Sequence, residues 1–172
     1  MRNITPHLWF DKEAAEAAVF YCSVFSNSRI TGITTIHEVP SPTGDSDIVS
    51  FELRGLPFMA INAGPLFTFN PSVSFLVNYD PSREREASEN IDAAWEMLLP
   101  GGTVLMPLQE YPWSRRYGWI KDKYGLSWQV TPTIMAEMMA KGTPEQVARV
   151  TRAFLPMKKF DLGALQKAYE GP

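Results

Sequence analysis

Polar side chains that can bind a ligand stand among aromatic residues on several predicted strands. Asn62, Gln109 and Gln129 carry amides, which both donate and accept hydrogen bonds and can fix a carbonyl or hydroxyl of a ligand. His7 carries an imidazole that, when neutral, suits zinc, iron or nickel. The aromatic residues in the same segments are Trp9, Phe67, Phe69, Tyr111, Trp113, Tyr117, Trp119 and Trp128. Aromatic walls with few polar groups are typical of small-molecule pockets, although the same rings can also pack a core.

Four further side chains have relevant chemistry but also an ordinary structural explanation. Arg115 and Arg116 follow an aromatic loop and can clamp a carboxylate or phosphate, whereas loop arginines are more often simply solvated. Cys22 lies on the apolar face of a predicted helix, which favours a buried, inert thiol over a nucleophile. His37 stands between a strand and a loop, so we expect a solvated histidine at a sheet edge.

Composition excludes several classes of partner. A formal charge of −3 over 172 residues offers no basic stripe to hold nucleic acid. No apolar run is long enough to span a membrane, and the N-terminus has no apolar signal core. A single cysteine rules out an intramolecular disulfide and fits a reducing compartment. We therefore expect a cytoplasmic protein whose partner is a small molecule, not nucleic acid or a membrane.

The first half-unit, residues 1–69, is predicted to fold as a strand, a helix and three strands. The predicted strands are Ile4–Phe10, Arg29–Ile36, Asp47–Leu53 and Leu56–Ala63, with a helix over residues 12–25. Asp11 is the expected N-cap of that helix. Its apolar face is predicted to comprise Ala14, Ala18, Cys22 and Phe25, with Val19 beside them.

The second half-unit, residues 70–132, repeats this order of elements. The predicted strands are Ser72–Tyr79, Thr103–Leu108, Tyr117–Lys121 and Ser127–Thr131. Asp80-Pro81 looks like a helix start, but the charged run after it suggests a start nearer Ala87. The helix carries an apolar stripe of Ile91, Trp95 and Leu98. Between the last two strands we predict a tight turn with positive φ at Gly125, closed by the side chain of Asp122.

Strand alternation assigns the candidate binding residues to sheet faces. His7 and Trp9 are predicted to share one face of the first strand. Gln129 is predicted to lie on the face opposite Trp128 and Val130. The pattern therefore puts the imidazole with one aromatic ring, and the amide away from the most apolar positions of its strand.

Residues 133–172 are predicted to form a helical tail. A first short helix over Thr133–Ala140 is followed by a capping box at Thr143–Gln146, and Asp161 is placed to cap a last helix. The stripe residues of the later helices are Val147, Val150, Phe154, Leu162, Leu165 and Tyr169. The apolar residues that need covering are Met135, Met138, Met139, Phe154 and Leu155. They must cover the chain's own sheet or a partner's, and we expect a homodimer because symmetric dimers are the commonest oligomers.

One stretch, Gly118–Gln129, carries a family resemblance. Its sequence GWIKDKYGLSWQ resembles the end of a module of the vicinal oxygen chelate superfamily, which includes glyoxalase I, bleomycin-resistance proteins and extradiol dioxygenases. The full string resembles more specifically the PhnB-like branch labelled 3-demethylubiquinone-9 3-methyltransferase. Further similar stretches are Phe58–Pro65, Ser74-Phe75 and Met157–Leu165. The resemblance implies an α+β fold of two fused βαβββ units, and a cavity enclosed between them.

The resemblance also indicates where a metal would bind. In metal-using members the ligands come from the first strand, the strand opening the second unit and the last strand. His7 matches the first position, but Ser72 or Ser74 and Gln129 stand where His or Glu is expected. Neutral Ser and Gln side chains are poor ligands for a divalent cation, so we expect no metal, with His7 as a weak candidate ligand. Tyr117 also departs from the branch, which has a cysteine before Gly-Trp.

Three functions follow from these observations. The methyltransferase label has little support, because Leu99–Gly102 follows a helix and does not form the strand, glycine-rich turn and helix of a Rossmann-type site. A metal-dependent lyase, isomerase or dioxygenase is the alternative, with a divalent cation polarising vicinal oxygens. We favour a metal-free, dimeric small-molecule-binding protein. The predicted pocket lies between the half-units and is lined by His7, Trp9, Asn62, Trp119 and Gln129.

Overall fold

The computed structural model of the protein describes residues 4–38, 44–80, 84–111, 114–157 and 161–171, except the side chains of residues 115, 134–137 and 162. The first part of the chain contains β1 (His7–Phe10), α1 (Ala14–Val24), β2 (Arg29–Ile36), β3 (Ser46–Leu53) and β4 (Leu56–Asn62). The second part contains β5 (Phe75–Tyr79), α2 (Ala87–Leu98), β6 (Thr103–Tyr111), β7 (Ser114–Lys121) and β8 (Ser127–Pro132). The tail contains α3 (Ile134–Lys141), α4 (Pro144–Phe154) and α5 (Leu162–Glu170). The predicted α+β fold of two βαβββ units with a helical tail is confirmed.

The chain divides into two compact units, residues 1–70 and 71–172. The sheet of the first unit has the strand order β1-β4-β3-β2, in which β1 and β4 are parallel and the other neighbours antiparallel. The side chains that this sheet buries are Leu8, Phe10, Val49, Phe51, Leu53, Phe58 and Ala60. They alternate along their strands and form the core of this unit with the buried side chains of α1.

The start and the buried face of α1 differ from the sequence prediction. The helix begins at Ala14, and Asp11 is not its N-cap. Its buried side chains are Ala14, Ala17, Ala18, Tyr21 and Val24. Because 3.6 residues make a turn, this stripe leaves Val19 61% exposed and Cys22 half-buried. The predicted face was therefore right for Ala14, Ala18 and Phe25, only partly right for Cys22 and wrong for Val19.

The second unit repeats this arrangement with the order β5-β8-β7-β6. The predicted stripe of α2 is confirmed, since Ile91, Trp95 and Leu98 are all buried. The helix begins at Ala87, as the charged run suggested, and Glu86 at its N-cap makes no side-chain capping bond. In the sheet, Ile120, Trp128 and Val130 are buried. Gly118 lets the ring of Trp95 pack closely, because a Cβ at this position would lie 2.5 Å from Cζ3 of that ring.

Several strand ends in the second unit also differ from the prediction, and one of them is the end of β6, at Tyr111 instead of Leu108. β5 begins at Phe75, so Ser72 and Ser74 precede the strand instead of lying in it. β7 begins at Ser114, three residues earlier than predicted. The neighbouring Pro112 and Trp113 lie outside the described residues.

The tail helices are capped as the sequence predicts. Thr143 and Gln146 form a capping box at the start of α4, and Asp161 accepts a hydrogen bond from the Ala164 amide at the start of α5. The side chains that form a shared buried cluster are Met138, Val150, Leu165 and Tyr169, with Met139, Ala153 and Met157 packed against it. The tail thus covers much of its apolar surface with its own helices, while Leu155 stays 74% exposed. The side chains of Met135 and Leu162 are not among those described.

No helix in the described part of the chain is long and apolar enough to cross a membrane.

Candidate functional site

The sheet of the second unit has one face covered by α2 and a second face that carries polar and aromatic side chains. Trp119 on β7 stands directly opposite Gln129 on β8, so the two side chains project from the same face. Alternation adds Tyr117 to this face, and the parallel pairing of Leu76 with Gln129 adds β5. Ser74 lies just before β5 and reaches Gln129. We call Ser74, Leu76, Tyr117, Trp119 and Gln129 the open face, because all five side chains are half-buried or exposed.

A buried carboxylate in the β7–β8 turn holds Trp119 and Gln129 in register. Asp122 is only 2% exposed and its Oδ1 accepts hydrogen bonds from the backbone amides of Tyr124 (2.8 Å) and Leu126 (3.0 Å). Its Oδ2 accepts from Nε1 of Trp128 at 2.8 Å. Gly125 has φ +89°, a conformation that favours glycine. The predictions for Asp122 and Gly125 are both confirmed.

The amide of Gln129 is held at both ends by hydrogen bonds. Tyr117 Oη donates to Gln129 Oε1 at 2.7 Å, and Gln129 Nε2 donates to Ser74 Oγ at 2.6 Å. The three side chains therefore form a hydrogen-bonded chain across β7, β8 and the residue before β5. An amide held this way presents its remaining donor and acceptor positions in fixed directions.

Aromatic rings flank this polar chain. Nε1 of Trp119 donates to Ser127 Oγ at 2.7 Å, so its N–H is satisfied within the sheet. The ring of Tyr117 meets the ring of Tyr111 edge to face, with centroids 5.7 Å apart. Burial, and secondarily the charge of Tyr111, raises the pKa of the Tyr117 phenol above its ordinary value, so the hydroxyl keeps its proton near neutral pH.

His7 and Trp9 share a face of β1, as alternation predicts, while Leu8 and Phe10 are buried on the other face. The His7 side chain is exposed and has no hydrogen bond to the described residues. Trp9 is half-buried, its Nε1 donates to Gly64 O at 2.8 Å, and its ring meets Phe67 with centroids 5.0 Å apart. The indole N–H of Trp9 is thus already used by the chain after β4.

Asn62 lies on the helix-covered face of the first sheet. It pairs with Phe10, whose side chain is buried, and Asn62 Oδ1 accepts a hydrogen bond from the amide of Ala14 at 2.8 Å. Asn62 therefore satisfies the start of α1, the role that the sequence suggested for Asp11. The structure groups His7 with Trp9, groups Trp119 with Gln129, and places Asn62 on a different face from His7. The prediction that all five line one pocket between the half-units stays a prediction.

The remaining candidate residues have ordinary structural roles in the structure. Arg116 donates to Asp92 on α2, with Nε 2.8 Å from Oδ1, so this arginine is directed to the helix-covered side. The side chain of Arg115 lies outside the described residues. His37 is exposed and its Nδ1 lies 2.8 Å from Asp45 Oδ2, which confirms a solvated edge histidine. Burial raises the pKa of the Cys22 thiol, as expected for an unreactive cysteine.

The side chains at the positions expected to hold a metal suit such an ion poorly. Ser74 and Gln129 are neutral and are hydrogen-bonded to each other. Among the described residues, no group of three or more His, Cys, Asp or Glu side chains is arranged to hold a metal ion. The donor set therefore does not fit a divalent cation of the kind that the resemblance implies.

Sequence reasoning missed the roles of Tyr117 and Ser74 in one network. The hairpin closed by Asp122 pairs Trp119 with Gln129, and counting back two residues from Trp119 places Tyr117 on the same face. That count was available from the sequence once the turn was located. The bond from Gln129 to Ser74 was not, because it depends on the pairing of β5 with β8, which are distant in sequence.

Comparison with known proteins now identifies the family. The model of the 3-demethylubiquinone-9 3-methyltransferase family matches residues 2–131, about three quarters of the chain. The chain belongs to this family. No curated protein matches it.

Solved structures agree with this family and its fold. The PhnB protein of Bacillus cereus, which carries the same family description, is 37% identical, with 77% of this chain and 100% of that chain covered and a TM-score of 0.67. The protein PA1353 from Pseudomonas aeruginosa is 20% identical, over 77% of this chain and 98% of that one, with a TM-score of 0.59. A glyoxalase family protein of Bacillus cereus is 12% identical, over 77% and 93%, with a TM-score of 0.52. These neighbours show the fold of the vicinal oxygen chelate superfamily.

Proposed function

We propose that this PhnB-like protein binds a small organic molecule on the open face of its second sheet, without a metal. The observation that carries the proposal is the hydrogen-bonded chain from Tyr117 through Gln129 to Ser74, which presents polar groups beside the ring of Trp119. Sites of this kind combine a few fixed polar groups with aromatic surface. The cysteine content fits the cytoplasm as the place of action.

The preference for a metal-free site follows from the donor set. Metal ligands in such a fold are imidazoles and carboxylates, whereas Ser74 and Gln129 supply a hydroxyl and an amide that bond to each other. A cation would have to break that bond and would gain no charge neutralisation in return.

A metal-dependent vicinal oxygen chelate enzyme is the second candidate. The observation in its favour is His7, whose imidazole is exposed and has no hydrogen bond to the described residues. An imidazole in that state is available to bind a cation. If it did, the metal would polarise adjacent substrate oxygens, as in other Lewis-acid enzymes.

Methyl transfer has less support than either candidate, despite the family description. The two sheets have the orders β1-β4-β3-β2 and β5-β8-β7-β6, and each contains only one parallel pair. A Rossmann-type cofactor site needs successive parallel strands with a glycine-rich turn into a helix. Fold alone does not decide function, so we rest this judgement on the missing cofactor-binding arrangement in the described strands.

Thermal unfolding of metal-stripped protein against a panel of divalent cations tests the choice between the two candidates. A ligand that binds only the folded state increases the free energy of unfolding by about 2.7 kcal/mol at one hundred times its Kd, and so raises the midpoint temperature. We expect no cation to shift the midpoint. A large shift with one metal, lost in His7→Ala, would show a metal site at His7, support the metal-dependent enzyme and overturn the metal-free proposal.

The same assay with a library of small carbonyl-bearing and aromatic compounds tests the binding surface. Compounds that stabilise the wild type should stabilise Gln129→Ala and Trp119→Ala less. The control is Gln166→Ala, since Gln166 bonds only to Glu170 among the described residues and lies on α5 in the tail. Hits that stabilise all four proteins equally would place the binding site elsewhere and contradict the proposal.

We also propose that the protein is a homodimer. Phe154 and Leu155, at the end of α4, are adjacent in sequence and 38% and 74% exposed, and contiguous exposed apolar surface marks interaction sites. Sedimentation velocity at micromolar concentration should give a dimer, and Leu155→Glu should weaken it. A wild-type monomer at that concentration would contradict the proposal.

A further inference from the structure

We infer that Tyr117 determines ligand specificity on the open face. It fixes the orientation of the Gln129 amide, and the amide in turn leaves the O–H of Ser74 free to donate a hydrogen bond to a carbonyl oxygen of the ligand. The inference rests on the proposed function, since it assumes that the open face binds a small molecule. It goes further by naming the group that the ligand must carry and the residue that selects it.

The direction of the hydrogen-bond chain follows from the chemistry of its middle member. A glutamine amide has one oxygen, which only accepts, and one nitrogen, which only donates. Because Tyr117 Oη lies 2.7 Å from Gln129 Oε1, the phenol must donate there. Because Gln129 Nε2 lies 2.6 Å from Ser74 Oγ, the serine oxygen must accept there.

The opposite direction is chemically less favourable. It would require the phenol to accept from the amide nitrogen and the serine to donate to the amide oxygen. A phenol is more acidic than an aliphatic alcohol, so it is the better donor and the poorer acceptor of the two. Burial also keeps the Tyr117 hydroxyl protonated, because it raises the pKa of that group. Tyr117 therefore orients the amide, and the amide in turn orients Ser74.

The consequence for a ligand appears at the Ser74 end of the chain. Ser74 Oγ already accepts from Gln129, and its own O–H makes no hydrogen bond to the described residues. The second N–H of Gln129 is likewise not used by them. Two donors therefore remain for a ligand, and both belong to uncharged side chains. A single acceptor oxygen, such as that of a carbonyl group, satisfies both donors.

A ligand-free NMR experiment tests the orienting role directly. The side-chain amide signals of Gln129, assigned with Gln129→Ala, should shift or double in Tyr117→Phe, because the oxygen loses its donor. The matched control is Tyr111→Phe, which removes a neighbouring hydroxyl that donates to Pro107 O instead of the amide. Unchanged Gln129 signals in Tyr117→Phe would overturn the inference, whatever the protein binds.

Two probes of similar shape then test the specificity. We would titrate 2-acetylnaphthalene, which carries a carbonyl, and 2-isopropylnaphthalene, which carries no polar group, and follow the indole N–H signal of Trp119. The wild type should bind the ketone about fivefold more tightly than the hydrocarbon, the effect of one net hydrogen bond. Tyr117→Phe and Ser74→Ala should reduce that ratio to about one or two, whereas Tyr111→Phe should retain it.

The outcomes separate this inference from the proposed function. If both probes bind and Tyr117→Phe keeps the full preference for the ketone, Tyr117 does not set specificity, while the binding surface stands. If neither probe binds although the Gln129 signals respond to Tyr117→Phe, the proposed surface is wrong, and the specificity assignment falls with it.

Discussion

The two units have the same order of elements but close their last hairpins differently. In the first unit, a two-residue turn joins β3 to β4, and both Arg54 (φ +49°) and Gly55 (φ +80°) adopt positive φ. In the second unit, the longer turn from Asp122 to Leu126 joins β7 to β8 around a buried carboxylate. The tight turn is specified mainly by backbone conformation, and its Arg54 amide donates to Ser28 Oγ outside the turn, whereas the longer turn satisfies two amides through a carboxylate of its own.

The sheet faces that carry the candidate binding residues also differ between the two units. In the first unit, His7 pairs with Met59 and Trp9 with Ile61, so an apolar side chain accompanies each candidate. In the second unit, Gln129 pairs with Trp119 and bonds to Tyr117 and Ser74. The second unit therefore combines a hairpin held by hydrogen bonds to Asp122 with a sheet face whose polar side chains are oriented by hydrogen bonds to each other. Our proposal therefore assigns recognition of a polar ligand group to the second unit.

The largest expected effect distinguishes the two hairpin turns. Asp122→Ala leaves two backbone amides and the indole N–H of Trp128 without a buried acceptor, so we expect unfolding to become easier by about 3 kcal/mol. Arg54→Gly, in the turn of the first unit, should change the free energy of unfolding by less than about 0.5 kcal/mol. Urea denaturation of both variants measures the difference, and equal effects would show that the turns are not held differently.

A second prediction compares glycines on the two sheets. Gly118→Ala would place a Cβ 2.5 Å from the ring of Trp95, which we expect to cost about 2 kcal/mol. Gly32→Ala, on the edge strand of the first sheet, meets nothing within 4 Å and should be close to neutral. Thermal unfolding of the two variants provides the test. A Gly118→Ala protein as stable as the wild type would mean that α2 is not packed tightly on its sheet.

The start of α1 gives a third, smaller effect. Asn62→Ala removes the oxygen that accepts from the Ala14 amide, and the expected loss is about 1 kcal/mol. Asn62→Asp keeps an acceptor and adds a negative charge that suits a helix N-terminus, so it should retain the wild-type stability. If Asn62→Ala instead leaves stability unchanged but abolishes ligand binding, the role first predicted for Asn62 is restored.

The smallest effect concerns the pH dependence of the open face. The pKa of Tyr117 is higher in the folded protein than its ordinary value of about 10, so the unfolded chain releases this proton first as the pH rises. The contribution of the protonated phenol to the free energy of unfolding is fully present below pH 10 and is lost above it. The free energy of unfolding measured in urea should therefore fall more between pH 8 and pH 10.5 for the wild type than for Tyr117→Phe. Identical slopes would mean that the folded environment does not disfavour the phenolate.

Most of the fold could be predicted from local patterns. The stripe of Ile91, Trp95 and Leu98, the capping box at Thr143 and the turn at Asp122 were all readable from spacing, because each depends on residues within one helix or one turn. One error occurred where a distant segment replaced a local partner. Asn62 takes the place that the sequence offered to Asp11, since its strand ends beside the first turn of the helix.

The candidate site was only partly predictable for the same reason. Alternation placed Gln129 opposite Trp128 and paired His7 with Trp9, since side-chain direction along a strand has a fixed period. The links that give Gln129 its chemistry come from β7 and from the residue before β5, and they depend on which strands are neighbours.

The sequence by itself determined the two βαβββ units, the helical tail, the turn at Asp122 and the family, because these depend on short-range periodicity and on motifs within single segments. Only the tertiary structure decided that Asn62 caps α1, that Arg116 pairs with Asp92, and that Tyr117 and Ser74 hold the amide of Gln129. Hydrogen bonds of this kind are set by strand order and register. Those are fixed when the sheets assemble, after the local elements have been specified.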